Sequence, residues 1–449
     1  MRTVLQFEGF ASQAEAAAEV YRYVPFQVPA RCTRLDVSYH FTAPDGATPC
    51  SVDIGLFDIR GTEPFTGGFR GWSGADRRTF FIEHDRATPG YVAGPLPSGT
   101  WSIILGLYEV PQAGVRYWLT VEIDAVPTRP ARPETPAPTP GPGPAPVPDS
   151  AAAVHWFRGD LHSHSVHSDG ANSIAEIARF AKQRKLDFLA ITDHNTTTHH
   201  REIDAMHRPP VLLIPGEEVT TYRGHANVWG LREWVDFRVT SDAEIHRLWQ
   251  WVAARKRPFS INHPKSHGPA WELADPGIAI REVWQAPWRW YNWQSVGAWD
   301  ELLAAGRHII PVGGSDAHSV PPAEPRHPHH IGDPTTWLLC HRGLSERSVL
   351  DAITAGRTAI SDSPSGPFVT LEGPDGEGRS TARYRRAAGC DLVLVADGEA
   401  RLRVSIDRIA GSLAVPADLR FARYLRAELR VEAPRGREDV RALSAPIYA

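Results

Sequence analysis

Residues 126–149, "VPTRPARPETPAPTPGPGPAPVPD", are mostly Pro, Ala and Gly. Such a stretch has little apolar surface to bury, loses an amide donor at every proline and favours an extended polyproline II conformation. It cannot be part of a core, so the chain on either side must fold separately. The length, 449 residues, also exceeds what one ordinary core organises.

The first segment reads as all-β. "TRLDVSYHFT", "CSVDIGLFDI", "RTFFIEH", "TWSIILGLYE" and "VRYWLTVEID" have strand character, and "PDG", "TPG" and "PSG" supply turns. A short helix over Ser12–Tyr21 precedes them. This predicts an N-terminal β-sandwich or jelly-roll-like domain over 1–125, followed by a linker over 126–150.

Beyond the linker, strand and helix patterns alternate. "HWFRGDLHSHS" is strand-like and "SIAEIARFAKQRKL" is helical, with Ser173 and Glu176 at capping-box spacing. "DFLAITDHN", "VLLIPGEEVTT", "HANVWGL", "PFSINHP", "IREVWQ" and "HIIPVGGSDAH" read as strands. "SDAEIHRLWQWVAARK" (again Ser–x–x–Glu, Ser241 and Glu244), "SVGAWDELLAAG" and "SERSVLDAITAG" read as helices. Repeated β–α alternation predicts an α/β barrel over 151–365. Strand patterns return from 366 to 449, a small C-terminal β domain.

Composition excludes some partners. Lys plus Arg is 48 and Asp plus Glu 52, a net charge of −4, which argues against nucleic acid or an anionic membrane. No signal-peptide run or membrane-length apolar run is present, so a cytoplasmic protein is expected. Cys32, Cys50, Cys340 and Cys390 form no CxxC pattern and are expected as thiols. Histidine is the anomaly: of 20, only His40 and His84 lie outside residues 155–341.

Those histidines, with acidic residues, cluster at the C-terminal ends of the predicted strands: "DLHSH", "TDH", "GEE", "NHP" and "GGSDAH". In an α/β barrel such ends converge on one rim. His162 and His164 are two apart, as are Asp316 and His318, so on a strand each pair shares a face. Imidazole nitrogen and carboxylate oxygen are ligands of Zn²⁺, Fe²⁺ and Mn²⁺, and the lack of cysteine points to a catalytic rather than a structural site. The candidates are His162, His164, Asp169, His194, Glu218, His225, His263, Asp316 and His318, enough for two or three ions. Asp193, by alternation, faces away, and Asp160 reads as structural.

In this order, "DLHSHSVHSDG", "AITDHN", "IPGEEVT", "INHP" and "GGSDAH" resemble the motifs of the PHP (polymerase and histidinol phosphatase) family, over roughly residues 155–365. "GHANVWG" and the flanking β domains are most similar to the CehA/McbA-like branch, which includes carbamate hydrolases. The resemblance implies a distorted (β/α)₇ barrel with a di- or trinuclear centre. It implies one ion on His162, His164, Glu218 and Asp316, and a second sharing Glu218 with His225 and His263. A third would take Asp169, His194 and His318, with Asp169 standing where some members have His.

The expected activity is metal-dependent hydrolysis of a small molecule. A water bridging two or three divalent ions (Zn, Mn or Fe) would lose a proton, and the hydroxide would attack phosphorus in line. Glu218 and Asp316 would hold the ions, with Lys265 or His267 stabilising developing charge. Lys265, His267 and Arg357 are candidates for an anionic group. Trp288 and Trp290, in "PWRWYNW", are candidates for an aromatic wall. His167, His199 and His200 read mostly as solvated, and "HPHH" at 327–330 as an exposed loop. A phosphomono- or phosphodiesterase is the first reading. A carbamate or carboxylic ester hydrolase with an aryl leaving-group pocket is the alternative. A non-catalytic metal- or glycan-binding protein is a third class, opposed by the complete ligand set.

Overall fold

A computed structural model describes residues 1–126, 154–266, 268–322, 329–341, 343–434 and 436–449. Residues 127–150 of the predicted linker, and His267, therefore lie outside the described residues. The chain divides into two compact units, Met1–Val154 and His155–Ala449.

The first unit holds β1 (Arg2–Ala11), α1 (Gln13–Ala18), β2 (Tyr21–Val28), β3 (Cys32–Thr42), β4 (Ser51–Phe57), β5 (Phe69–Gly74), β6 (Thr79–Glu83), β7 (Gly99–Glu109) and β8 (Val115–Ala125). They form two four-stranded antiparallel sheets, ordered β1-β8-β3-β6 and β2-β7-β4-β5. Every second residue of the long strands points between the sheets. Leu35 and Val37, Ile54 and Leu56, Ile103 and Leu105, Leu119 and Val121 share one buried cluster. Ser12 caps α1 through a box with Glu15. All four cysteines are free.

The second unit begins with β9 (His155–Asp160), α2 (Ile174–Gln183), β10 (Phe188–Ile191), α3 (Thr198–Ala205), β11 (Leu212–Thr221) and β12 (Gly224–Trp229). It continues with α4 (Asp242–Ala254), β13 (Phe259–Ile261), β14 (Ile280–Gln285), α5 (Asn292–Ala304), β15 (Ile310–Gly314), β16 (Thr335–Cys340), α6 (Glu346–Thr354) and β17 (Thr358–Ser361). The helices form where apolar spacing and caps coincide. In α2, Ile174, Ile177, Ala178 and Ala181 make one buried stripe behind the Ser173–Glu176 capping box, and Ser241–Glu244 caps α4 the same way.

Strands β9, β10 and β11 are parallel neighbours, as are β13, β14 and β15. Strand β12 is antiparallel to both β11 and β13, because two residues between β11 and β12 allow only a hairpin. The ends of β9 and β15 then meet. The Asp316 N–H donates to the His162 carbonyl at 2.9 Å, and the His164 N–H to the Ala317 carbonyl at 3.0 Å. Asp160 staples this seam: its fully buried carboxylate accepts from the backbone N–H of His162 (3.1 Å), Ser315 (2.9 Å) and Gly332 (2.7 Å).

The C-terminal strands are β18 (Phe368–Glu372), β19 (Thr381–Arg385), β20 (Cys390–Ala396), β21 (Glu399–Ile406), β22 (Ala410–Ala414), β23 (Tyr424–Ala433), β24 (Arg437–Ser444) and β25 (Ile447–Tyr448). They do not stand apart from residues 155–365. β16 pairs with β9, β17 with β16, and β24 with β17, so one sheet runs from β15 through to β21. The expected boundary near 366 thus falls inside one compact unit, because the free edge of β17 is completed by C-terminal strands. No helix among the described residues is long and apolar enough to cross a membrane.

An Asp160→Ala variant leaves three backbone donors without their acceptor. It should lose about 3 kcal/mol of stability in denaturant unfolding; an unchanged midpoint would show that the seam does not depend on this carboxylate.

Candidate metal centre

The strands and the segments after them bring eight candidate ligands, and a loop a ninth, to one place. His162 and His164 follow β9, His194 follows β10, Glu218 lies in β11, His225 in β12, His263 after β13, and Asp316 and His318 after β15. Asp169 comes from the loop before α2. Three groups have ligand atoms mutually within 4.8 Å: His162, His164, Glu218 and Asp316; His164, Asp169, His194 and His318; and His194, Glu218 and His225.

Glu218 is the hub. It is fully buried. Its Oε2 lies 3.2 Å from His162 Nε2, 3.4 Å from His164 Nε2 and 3.0 Å from His194 Nδ1. Its Oε1 lies 3.2 Å from His225 Nδ1 and 3.3 Å from His263 Nε2. Asp316 Oδ1 is 3.3 Å from His162 Nε2 and 2.9 Å from His164 Nε2. Asp169 Oδ1 is 3.3 Å from His318 Nε2 and 3.7 Å from His194 Nε2. Strand alternation sends the neighbouring Glu217 the other way, where its Oε2 accepts the Val235 N–H at 3.0 Å.

The residues present fit divalent ions. Inside the cluster, His162 Nε2, His164 Nδ1, Glu218 Oε2 and His263 Nδ1 are buried without a hydrogen-bond partner. Buried polar atoms left unpaired are costly, and two of these, His162 Nε2 and Glu218 Oε2, stand 3.2 Å apart at the hub, where a cation would satisfy both. The tautomers agree. His162 Nδ1 donates to Glu282 Oε1 at 2.8 Å, and His318 Nδ1 to the Asp316 carbonyl at 3.0 Å. Thr220 Oγ1 gives its only hydrogen to the Glu218 carbonyl, so it accepts from His194 Nδ1 at 2.5 Å. Each bond leaves Nε2 as the lone pair, toward Glu218 in His162 and toward Asp169 in His194 and His318, the arrangement of metal-ligating histidines.

Charge points the same way. Burial would neutralise Glu218 and Asp316, but the surrounding histidines hold both carboxyls well below the usual range. Burial opposes charge on His318 and His194, yet the Asp169 contact with Asp316 pushes His318 up to about 10, and Asp169 with Glu218 pushes His194 up to about 9. Burial and then those two histidines push His164 down to about 4. The cluster calls for positive charge that protons supply incompletely, and divalent ions compete with protons for the same atoms.

Backbone strain is held here too. His263 (φ 29°) and Asp316 (φ 54°) occupy the left-handed region, at a cost of about 1–3 kcal/mol each. Glu282 Oε2 fixes the first by accepting the His263 N–H at 3.0 Å. Gly314 has no room for a side chain: a Cβ there would stand 2.4 Å from His162 Cβ.

The other expectations divide. Lys265 is buried near the centre, but its Nζ donates to the Gln285 carbonyl (2.9 Å) and Asn292 Oδ1 (3.1 Å). Burial pushes it down to about 8. Arg357 is not brought to the centre. Its Nε donates to the Leu339 carbonyl at 3.0 Å, and Leu339 pairs with Trp156, at the start of β9 away from His162. Trp288 packs edge-on against Trp284 and lines a cavity of about 250 Å³ with Asp300, Arg426 and Glu428, away from the ligands. Trp290 does reach the rim: its ring is 5.0 Å from that of His329, which lies within reach of the Asp316 carbonyl. The 327–330 tract is thus no plain exposed loop at His329; His327 lies outside the described residues.

His199 and His200 are buried, not solvated. Both Nε2 atoms meet the Gly216 carbonyl at 2.8 Å, since α3 packs on β11. His167 bonds Thr198 and Glu202. Asp193 accepts from Ser165 and Ser168, as a structural residue. Glu282, Asn262 and Thr220 were not anticipated. Asn262 Nδ2 donates to Glu218 Oε1 at 2.9 Å. A carboxylate inside the apolar strand "IREVWQ" was the available signal for Glu282.

Residues 160–234 match the model of the PHP domain family. That stretch is similar to a PHP domain. The match spans the ligands from His162 to His225, and the remaining candidates follow it. No curated protein matches. Among the similar solved structures are two at 16% identity. One is a two-domain protein containing a predicted PHP-like metal-dependent phosphoesterase from Bacteroides vulgatus, aligned over 66% of this chain and 96% of that one, with TM-score 0.37. The other is an amidohydrolase from Chromobacterium violaceum with bound sulfate and no metal, aligned over 39% and 90%, with TM-score 0.29.

Glu282→Gln removes the carboxylate that orients His162 and His263. Metal affinity should fall about 10–100-fold, measured by competition with a chromophoric chelator; wild-type affinity would exclude this orienting role.

Proposed function

We propose that this chain is a metal-dependent hydrolase that cleaves phosphoesters of a small molecule, using two or three divalent ions (Zn, Mn or Fe) in the PHP domain. The observation that carries the reading is the overlap of three ligand groups through Glu218, His164 and His194. Bound ions would supply positive charge at the scissile group and lower the pKa of a water toward neutrality.

The chain's own residues hold that centre. His162, His164, Glu218 and Asp316 suit one ion. Glu218 with His225 and His263 suits a second, since both imidazoles meet the same oxygen. Asp169, His194 and His318 suit the third and form the open edge, Asp169 and His318 being over a third exposed. Three carboxylates against three divalent ions leave net positive charge, which suits an anionic phosphoryl group. Trp290 and His329 flank that edge.

A carbamate or carboxylic ester hydrolase, as in the CehA/McbA-like branch, is the second reading. It is favoured by the commitment of Lys265 to Gln285 and Asn292 and by the remoteness of Arg357. A phosphatase would use free cations there, and an acyl substrate would not. We read the barrel as a distorted seven-stranded one with a sandwich before it, and the protein as cytoplasmic.

Exhaustive chelation should abolish activity, and one added metal should restore it. Asp316→Ala should lower kcat/KM by at least about 100-fold. Assay against p-nitrophenyl phosphate, bis-p-nitrophenyl phosphate and 1-naphthyl N-methylcarbamate decides the bond. Turnover of the carbamate alone would overturn the phosphoester reading, and full activity after chelation would overturn both.

A further inference from the structure

Gln285, the last residue of β14, touches the centre in a way the ligand motifs do not indicate. Its Nε2 donates to Asp316 Oδ2 at 2.9 Å. A carboxylate only accepts, so this contact sets which end of the amide is nitrogen. Asp316 then has one oxygen tied to Gln285, while Oδ1 faces His162 and His164. The other end of the same amide, Oε1, is buried without a partner, and Gln285 is only 7% exposed. An open acceptor beside a ligand carboxylate belongs at the wall of a working site rather than in a sealed core.

Gln285 is itself held from behind. Asn292 Oδ1 accepts the Gln285 N–H at 2.9 Å, and Asn292 Nδ2 donates to the carbonyls of Gln285 (2.8 Å) and Pro287 (3.0 Å). Lys265 Nζ donates to the Gln285 carbonyl and to Asn292 Oδ1. Asn292 and Ser295 are buried at the start of α5. The loop between β14 and α5 is thereby closed on Gln285, and the ammonium of Lys265 works as a tie within it.

We propose that Gln285 is a positioning residue of the metal centre. Held by Asn292 and Lys265, it presents Asp316 through a single oxygen to the ion that His162 and His164 would share. This rests on the metal-centre reading above. It explains why a buried lysine stands after His263 without facing substrate.

The test measures ion affinity, not turnover. Wild type, Gln285→Leu and Gln285→Glu are stripped of metal and titrated with Mn²⁺ or Zn²⁺ against a chromophoric chelator, with the Tm of each metal-free protein recorded. Gln285→Glu keeps the shape but loses the donor, so it separates the amide N–H from packing. Both variants should weaken the tightest ion about 10–100-fold, with metal-free Tm near that of wild type. Wild-type affinity in both variants would overturn the assignment and leave the metal centre standing. A defect in Gln285→Leu alone would show packing rather than positioning and also overturn it. Failure of wild type itself to take up ions would instead sink the metal-centre reading, and this assignment with it.

Discussion

A fully buried carboxylate, Glu218, lies within 3.4 Å of five imidazoles. Removing such a charge from water is expensive unless positive charge meets it. Four segments, after β9, after β10, in β12 and after β13, supply those imidazoles. The seam between the ends of β9 and β15, stapled by Asp160, brings His162 and His164 beside Asp316.

Around the ligands lies a layer of groups with no direct claim on an ion. Glu282, Thr220 and the Asp316 carbonyl each take an Nδ1 hydrogen, and Asn262 holds Glu218. These contacts turn imidazoles that could face either way into directed lone pairs. The hairpin β11–β12 contributes as well. By reversing direction it carries His225 back over Glu218, where a parallel crossover would have taken the chain away.

Much of this was legible in the sequence. The caps at Ser173 and Ser241, the strand assignments and the convergence of the five clusters follow from local spacing. His162 and His164 share a face because a strand alternates, and Glu217 parts from Glu218 for the same reason. Elsewhere local spacing misled. His199 and His200 looked like solvated polar residues, but helix α3 buries both against Gly216. Lys265, and secondarily Arg357, stood as candidates for an anionic group. One is tied into the β14–α5 loop, and the other lies at the far end of β9. Both outcomes depend on which carbonyl comes within reach after folding.

The sequence by itself determined the ligand types, their order along the chain and the strand ends that carry them, since side-chain chemistry and two-residue periodicity are local properties. Only the tertiary structure decided which ligands share an oxygen of Glu218, which nitrogen of His162 faces it, and that β24, β23, β20 and β21 extend the sheet that holds β9. Those depend on contacts between residues tens to hundreds of positions apart, such as Glu282 with His162 and β24 with β17. No local pattern specifies them, because each is set by the packing and register of strands distant in sequence.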